Sequence, residues 1–376
     1  MIALGTIAVI ILSVVLYMTS APQLGGKVNA AVKMQLQKSS HYKDGKFVNL
    51  VPTPMPAPNF STMVEFFKKG EGRTPEKATV TKAFNANQFI INQHLDDIQF
   101  SWFGHSSVLL KMEGKTVLFD PVFGERASMV SFAGPKKYEY SNDVQVEDLP
   151  TIDAVFISHD HYDHLDYPTI KKLKDRVNRF FVPLGVGVHL MRWGVPQAHI
   201  VELDWWQEAV MDDFRLVLSP TRHFSGRGIT NRDRTLWGAW SVIGNRSKVF
   251  FSGDSGYFDG FKEVGEKYGP YDLAFIECGQ YHEEWANIHM MPEESAQVGE
   301  DLKAGKVVPI HWGKFTLSLH QWTEPIERFL AAAQEKNYQV ITPIPGDVIV
   351  LSKASSRNWW KAPELLEVAL TEQGVQ

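Results

Sequence analysis

The sequence predicts an α/β sandwich, and three observations predict it. Short apolar runs of strand length recur along most of the chain, and helical patterns sit between the later ones. Several of the runs also follow one another in hairpin-like succession, which a purely parallel sheet does not allow. With 376 residues and 44% hydrophobic content, the chain is long enough to bury a large core.

In chain order, residues 1–20 come first. Ile2 to Tyr17 carries no charge, and the uncharged stretch continues to Gly26. A bilayer-spanning helix needs roughly 18–20 apolar residues, so an N-terminal transmembrane helix, an uncleaved single-pass anchor, is expected here. A cleaved signal peptide is the alternative, but the basic leader is missing and Pro22 spoils the cleavage site at Thr19-Ser20-Ala21. Lys27, Lys33, Lys38, Lys43 and Lys46 all follow the run. The charge bias therefore places the catalytic domain on the cytoplasmic side, with a periplasmic placement as the alternative.

Residues 21–94 hold Pro22, Pro52, Pro54, Pro56 and Pro58 and read as a linker that wraps on the body, with a short helix at 61–69. The body, residues 95–352, carries strands at 98–102, 107–112, 116–119, 154–158, 179–182, 199–202, 214–219, 240–243, 248–252, 273–277, 307–310 and 348–351. Helices are expected at 167–174, 187–193, 260–268, 292–303 and 324–336; Pro292 followed by Glu293 and Glu294 is a good helix start. Residues 353–376 read as a docking segment around Trp359 and Trp360 followed by a frayed acidic end.

Net charge is −5, and no basic run reads as a nucleic-acid stripe, so no nucleic-acid partner is expected. The single cysteine, Cys278, excludes an intramolecular disulfide framework and a cysteine-based zinc cluster. A metal here would rest on His and carboxylate ligands, which suit zinc, manganese or iron.

The densest chemistry is His159-Asp160-His161-Tyr162-Asp163-His164, directly after the apolar run that ends at Ile157. His159 and His161 are two apart, so in extended backbone their side chains point the same way. Asp163 and His164 lie beyond a turn and address a second position. Downstream, His223, Asp254 and His311 each follow a strand-like run, and strand ends facing one crevice can collect ligands far apart in sequence. His159, His161 and His223 would serve one ion and Asp163, His164 and His311 a second, with Asp254 bridging. Each ion keeps an open position, as a catalytic site requires. Two ions about 3.5–4 Å apart can share a hydroxide and stabilise a displacement at carbonyl or phosphorus. His105 and Asp120 read as outer partners that orient such ligands. Arg222, Arg227, Arg232 and Arg234 read as a solvated charged loop, with bidentate phosphate binding as the alternative.

This ordered signature, H-x-H-x-D-H and then His, Asp and His, resembles that of the metallo-β-lactamase superfamily. Trp102-Phe103-Gly104-His105-Ser106, Phe119-Asp120-Pro121-Val122-Phe123, Arg222-His223-Phe224-Ser225-Gly226-Arg227-Gly228, Gly253-Asp254-Ser255-Gly256-Tyr257 and Ile310-His311-Trp312-Gly313 look like one branch. That branch contains the N-acylphosphatidylethanolamine-hydrolysing phospholipase D enzymes, and the similarity covers roughly residues 20–350. The resemblance implies a four-layer αβ/βα sandwich with two Zn²⁺, or other divalent ions, per chain. It further implies a phosphodiesterase that uses a metal-bound hydroxide on N-acylated phospholipids. Asp254 and His289 would be its catalytic residues, with His289 matching a His beside the substrate phosphate. The chain departs from the animal enzymes at Ile276-Glu277-Cys278-Gly279-Gln280-Tyr281, where Glu277 and Gln280 stand as candidates to reshape the pocket wall and Gln280 as a substrate contact. A lactonase of the same superfamily, acting on a phosphorylated sugar lactone or an acyl-homoserine lactone, is one alternative. A non-enzymatic metal-binding protein is the other.

Overall fold

In the computed structural model, residues 20–361 are described apart from positions 67, 69, 92–96 and 229, together with scattered positions among the first nineteen. Two mixed sheets stack face to face. The first is built from β1 (Gln99–Trp102), β2 (Val108–Met112), β3 (Lys115–Phe119), β4 (Ala154–Phe156), β5 (Phe180–Pro183) and β6 (Ile200–Leu203). The second is built from β7 (Glu208–Met211), β8 (Phe214–Ser219), β9 (Ala239–Ile243), β10 (Lys248–Phe251), β11 (Tyr271–Glu277), β12 (Ala304–Ile310) and β13 (Gln339–Val340). The chain then returns to the first sheet as β14 (Ile349–Val350), giving the orders β14-β1-β2-β3-β4-β5-β6 and β13-β12-β11-β10-β9-β8-β7.

Each sheet is antiparallel on one side, up to β3 or β10, and parallel beyond it. Consequently β1, β3 and β4 run one way, as do β8, β10, β11 and β12, and all of these deliver their C-terminal ends to one edge of the sandwich. That edge carries the chemistry.

Side-chain alternation builds the layers. On the first sheet Val108, Leu110, Val117, Phe119 and Phe156 face the second sheet, whereas Leu109, Leu118 and Val155 face outward onto Ile170, Leu173 and Leu190 of the covering helices Tyr167–Leu173 and Gly187–Arg192. Aromatic rings close the interface between the sheets: Phe119 stacks on Phe251 at 4.7 Å, and Phe100 meets Phe275 edge-on at 5.2 Å. Helices Gly260–Lys267, Pro292–Asp301 and Glu324–Ala332 cover the second sheet, so the four-layer αβ/βα order expected of the chain is the one observed. Helix Pro292–Asp301 starts as its sequence demands, with proline in the first turn and Glu294 accepting the Met291 N–H at 2.9 Å.

The membrane anchor is corrected. Among the described residues no helix is long and apolar enough to cross a membrane, and much of the stretch that suggested one lies outside those residues. The run Ile2–Tyr17 is shorter than the roughly 20 residues a span requires, and Pro22 opens a separate 3₁₀ turn, Pro22–Leu24, directly behind it. The single-pass localisation, and the side of the membrane inferred from the lysines, fall with it.

Residues after Pro22 lie against the body. Asn49 clamps the backbone of His223 from both sides, its Nδ2 donating to the carbonyl at 2.8 Å and its Oδ1 accepting the N–H at 3.1 Å. The proline strap is pinned by Arg222 to the Pro52 carbonyl and by Asn287 to the Pro54 carbonyl. At the other end Trp359 is buried and stacks on Trp312 at 5.3 Å.

Candidate active site

His159 to His164 form the loop that leaves β4. Alternation splits the loop's side chains: His159 and His161 turn into the cleft, while Asp160 turns the other way. There the Asp160 carboxylate is buried and accepts from Gly226 N at 2.7 Å, Thr235 Oγ1 at 2.8 Å and His189 Nε2 at 3.1 Å. The position between two metal-capable histidines thus ties this loop to the one that carries His223. Of the four arginines read as a solvated charged loop, Arg232 and Arg234 are exposed and Arg222 is half-buried, but Arg227 departs from that reading. Arg227 is fully buried, donates to the carbonyls of Gln23, Asp160 and Leu165, and lies over the Tyr162 ring at 4.2 Å.

In the cleft, His159 Nε2 and His223 Nε2 approach His161 Nδ1 to 2.9 and 3.2 Å. Asp163 Oδ2 lies 3.4 Å from both His164 Nε2 and His311 Nε2. Asp254 Oδ2 stands between the two sets, 3.1 Å from His164, 3.2 Å from His311, and 3.7 Å from both His159 and His223. Among the described residues the ligand-capable atoms form the groups His159–His161–His223–Asp254 and His105–Asp163–His164–His311, and a third, Asp254–Glu277–His289–His311, overlaps them; each lies within 4.8 Å throughout.

Outer partners fix the rings. His164 Nδ1 meets Asp120 Oδ2 at 2.7 Å, Asp120 also accepts from Ser158 N, and His223 Nδ1 donates to the Ile288 carbonyl at 2.9 Å. His105 holds Asp163 through Nε2 at 2.8 Å, and its own backbone zips to the His311 segment in both directions. Non-glycine residues in the left-handed region gather here: Asp120 (φ 37°), His105 (53°), Gln280 (64°) and His311 (69°). Each such residue costs about 1–3 kcal/mol, which the surrounding hydrogen bonds must offset.

Burial drives His159 and His223 well below the usual imidazole range and takes His161 down to about 4. Burial also opposes charge on His311, but Asp254 and Asp163 outweigh it and push the ring up to about 10. A single imidazole N–H on His161 satisfies only one of the contacts at 2.9 and 3.2 Å at a time, whereas a cation between the rings would meet all three nitrogens. These spacings are close to the ligand edge of about 3.3 Å that bonds of ~2.0–2.1 Å make around a tetrahedral ion. Among the described residues, the buried atoms His164 Nε2, His311 Nε2 and Asp254 Oδ1 make no well-aligned hydrogen bond, the two nitrogens facing the Asp254 carboxylate at 3.1 and 3.2 Å, as metal-directed atoms would. The residues fit a pair of divalent ions.

A cavity of about 550 Å³ opens over Asp254, His161, His289 and His311. Its walls are Met55, Pro56 and Pro58 of the strap, Phe66, Phe224, Trp285, Ile288 and Leu317, with Arg232 supplying a guanidinium above Phe224 at 4.1 Å. Gln280 borders it but directs its amide to the backbone, Nε2 donating to the Phe315 carbonyl at 3.1 Å and Oε1 accepting from Leu317 N at 2.9 Å. Glu277 was expected only as a pocket-wall change. It is fully buried at the end of β11, with Oε1 accepting from Ser255 N at 2.7 Å and Oε2 meeting His289 Nδ1 at 3.0 Å. The available signal was a lone carboxylate closing an apolar strand, the same signal that singled out Asp254.

Comparison with known proteins agrees with this fold. A family model described as a beta-lactamase superfamily domain matches residues 115–312. An uncharacterized protein of Mycobacterium tuberculosis is 39% identical over 345 residues, 90% of this chain and 92% of that protein. The N-acyl-phosphatidylethanolamine-hydrolyzing phospholipase D 1 of Caenorhabditis elegans is 36% identical over 235 residues, 59% of this chain and 65% of its own. Among solved structures, the isothiocyanate hydrolase from Delia radicum gut bacteria superposes with a TM-score of 0.55 at 18% identity, covering 67% of this chain and 98% of that one.

Proposed function

Since the chain belongs to the beta-lactamase superfamily and is a metal-dependent hydrolase of the metallo-β-lactamase fold, we propose that it holds two zinc ions and cleaves the phosphodiester of an N-acylphosphatidylethanolamine-like lipid. His159, His161 and His223 would hold one ion and Asp163, His164 and His311 the other, with Asp254 placed to serve both. One observation carries this reading: a single carboxylate oxygen, Asp254 Oδ2, lies within 3.1–3.7 Å of four imidazole nitrogens on the floor of an apolar-walled cavity.

Bound at these residues, such ions acidify water and withdraw charge from phosphoryl oxygens. The protein's own groups do the rest. The strap prolines, Phe66, Trp285 and Leu317 offer acyl chains a dry wall, and Arg232 stands where an anionic head group would enter. His289, beside His311 with ring centroids 5.2 Å apart, faces the reacting phosphate. Water adds across the bond between phosphorus and the N-acylethanolamine oxygen, its proton passes to the leaving alkoxide, and phosphatidic acid remains. Sequence similarity to the Caenorhabditis elegans enzyme supports the lipid class.

The test is a panel of N-acylated and ordinary phospholipids beside lactones, assayed with purified protein. Release of phosphatidic acid from the N-acylated lipids is expected. Ring opening of lactones with every diester left intact would replace the proposed reaction with a lactonase.

A further inference from the structure

We infer that Glu277 is a positioning residue that fixes the His289 imidazole, holding Nδ1–H on its own Oε2 so that Nε2 faces the cavity. This rests on the reading of that cavity as the substrate site. A fully buried carboxylate is costly unless its oxygens are met by donors, and here every donor is in place. Oε1 accepts from Ser255 N at 2.7 Å, with Met290 N at 3.4 Å, and backbone N–H groups can only donate. Oε2 is therefore left for imidazole, with His289 Nδ1 at 3.0 Å and His311 Nδ1 at 3.4 Å. His311 Nδ1 has another acceptor, the Gly279 carbonyl at 3.2 Å, whereas Glu277 is the acceptor on His289 Nδ1.

The backbone keeps Glu277 in place as well. Its N–H donates to Ser252 Oγ at 3.0 Å, and β11 is held between β10 and β12. His289, in contrast, lies on a loop between the 3₁₀ turn Glu283–Trp285 and helix Pro292–Asp301, where its backbone N–H donates to the Trp285 carbonyl at 3.3 Å and its ring meets Glu277 through Nδ1. A strand end held on both sides thus supplies the carboxylate that the loop-borne ring meets. The parallel stack of His289 on His311, at 15° between planes, follows from both rings turning Nδ1 toward the same carboxylate.

The test uses full-length protein loaded with zinc. Nitrogen-15 spectra of the imidazoles, with His289→Gln to assign the resonance, should show His289 as the Nδ1–H tautomer, and Glu277→Gln should shift that population toward Nε2–H while the zinc content stays unchanged. The kcat/KM for diester hydrolysis should fall about 10–100-fold in Glu277→Gln, the range typical of an outer partner. The pair Glu277→Gln/His289→Gln should be no slower than His289→Gln alone. A His289 tautomer indifferent to Glu277→Gln, loss of zinc in that variant, or losses that multiply in the double variant would each overturn the assignment. The tautomer is read without substrate, so failure of the lipid reading leaves this result standing.

Discussion

The first sheet places His159, His161, Asp163 and His164 on one loop behind β4, whereas the second brings His223, Asp254 and His311 from the ends of three strands. Neither half is sufficient. Each candidate ion site takes two groups from the first sheet's loop and one from the second sheet, and Asp254 serves both. The site therefore exists only once the sandwich has closed, and the edge common to both sheets, fixed by strand direction, is what aligns the two contributions.

The largest effect that would break this comparison falls on the shared group. Asp254→Asn should empty both positions and reduce hydrolysis by well over the roughly 100-fold typical of outer partners. Full activity in metal-depleted Asp254→Asn would refute the role of the pair. Next come losses that should follow the ion and ignore the sheet. His161→Ala and His223→Ala, from different sheets but one set, should each remove the same ion and fail to add in a double-mutant cycle. His161→Ala and His311→Ala should strip different ions. Metal content of the three single variants decides this; losses grouped by sheet would contradict the cross-sheet pairing. Asp120→Asn removes the partner of His164 Nδ1 and should weaken metal affinity or activity by about 10–100-fold with the fold intact.

The smallest effect concerns the join between the halves. Lys314, three residues past His311, is fully buried and donates to the Phe103 and Val122 carbonyls of the first half at 3.1 and 2.6 Å. Burial takes its ammonium down to about 7, far below the unfolded value near 10.4. Above pH 7 the unfolded chain binds the extra proton, so stability should rise with pH between about 7 and 10, by on the order of 1–2 kcal/mol over two units. Lys314→Met should lose that part of the slope in denaturant titrations at pH 7 and 9. An unchanged slope would show that Lys314 stays charged in the folded protein.

The same contrast explains what could be read from the sequence. Apolar runs such as Phe214–Ser219 and Lys248–Phe251 declare strands because both faces are covered. Edge strand Glu208–Met211, with Glu208 and Val210 exposed, and the two-residue Gln339–Val340 carry too little apolar signal and escape notice. Helix Ala30–Leu36 escapes for a similar reason, since Leu36 is its one buried side chain. The loop after β4 announces a metal site by local density. His223, Asp254 and His311 become legible only jointly, because each follows its strand alone. What lay beyond reach was set by tertiary contacts: the inward turn of Arg227, the tie made by Asp160, and the strap prolines as a cavity wall.

The central claim is that one carboxylate joins two ion sites drawn from both sheets. Metal content measured on active wild-type protein and on Asp254→Asn tests it most directly. The account predicts about two divalent ions per active chain, and loss from both positions together with loss of hydrolysis in the variant. Fully active wild-type protein carrying about one ion per chain, or none, would contradict it.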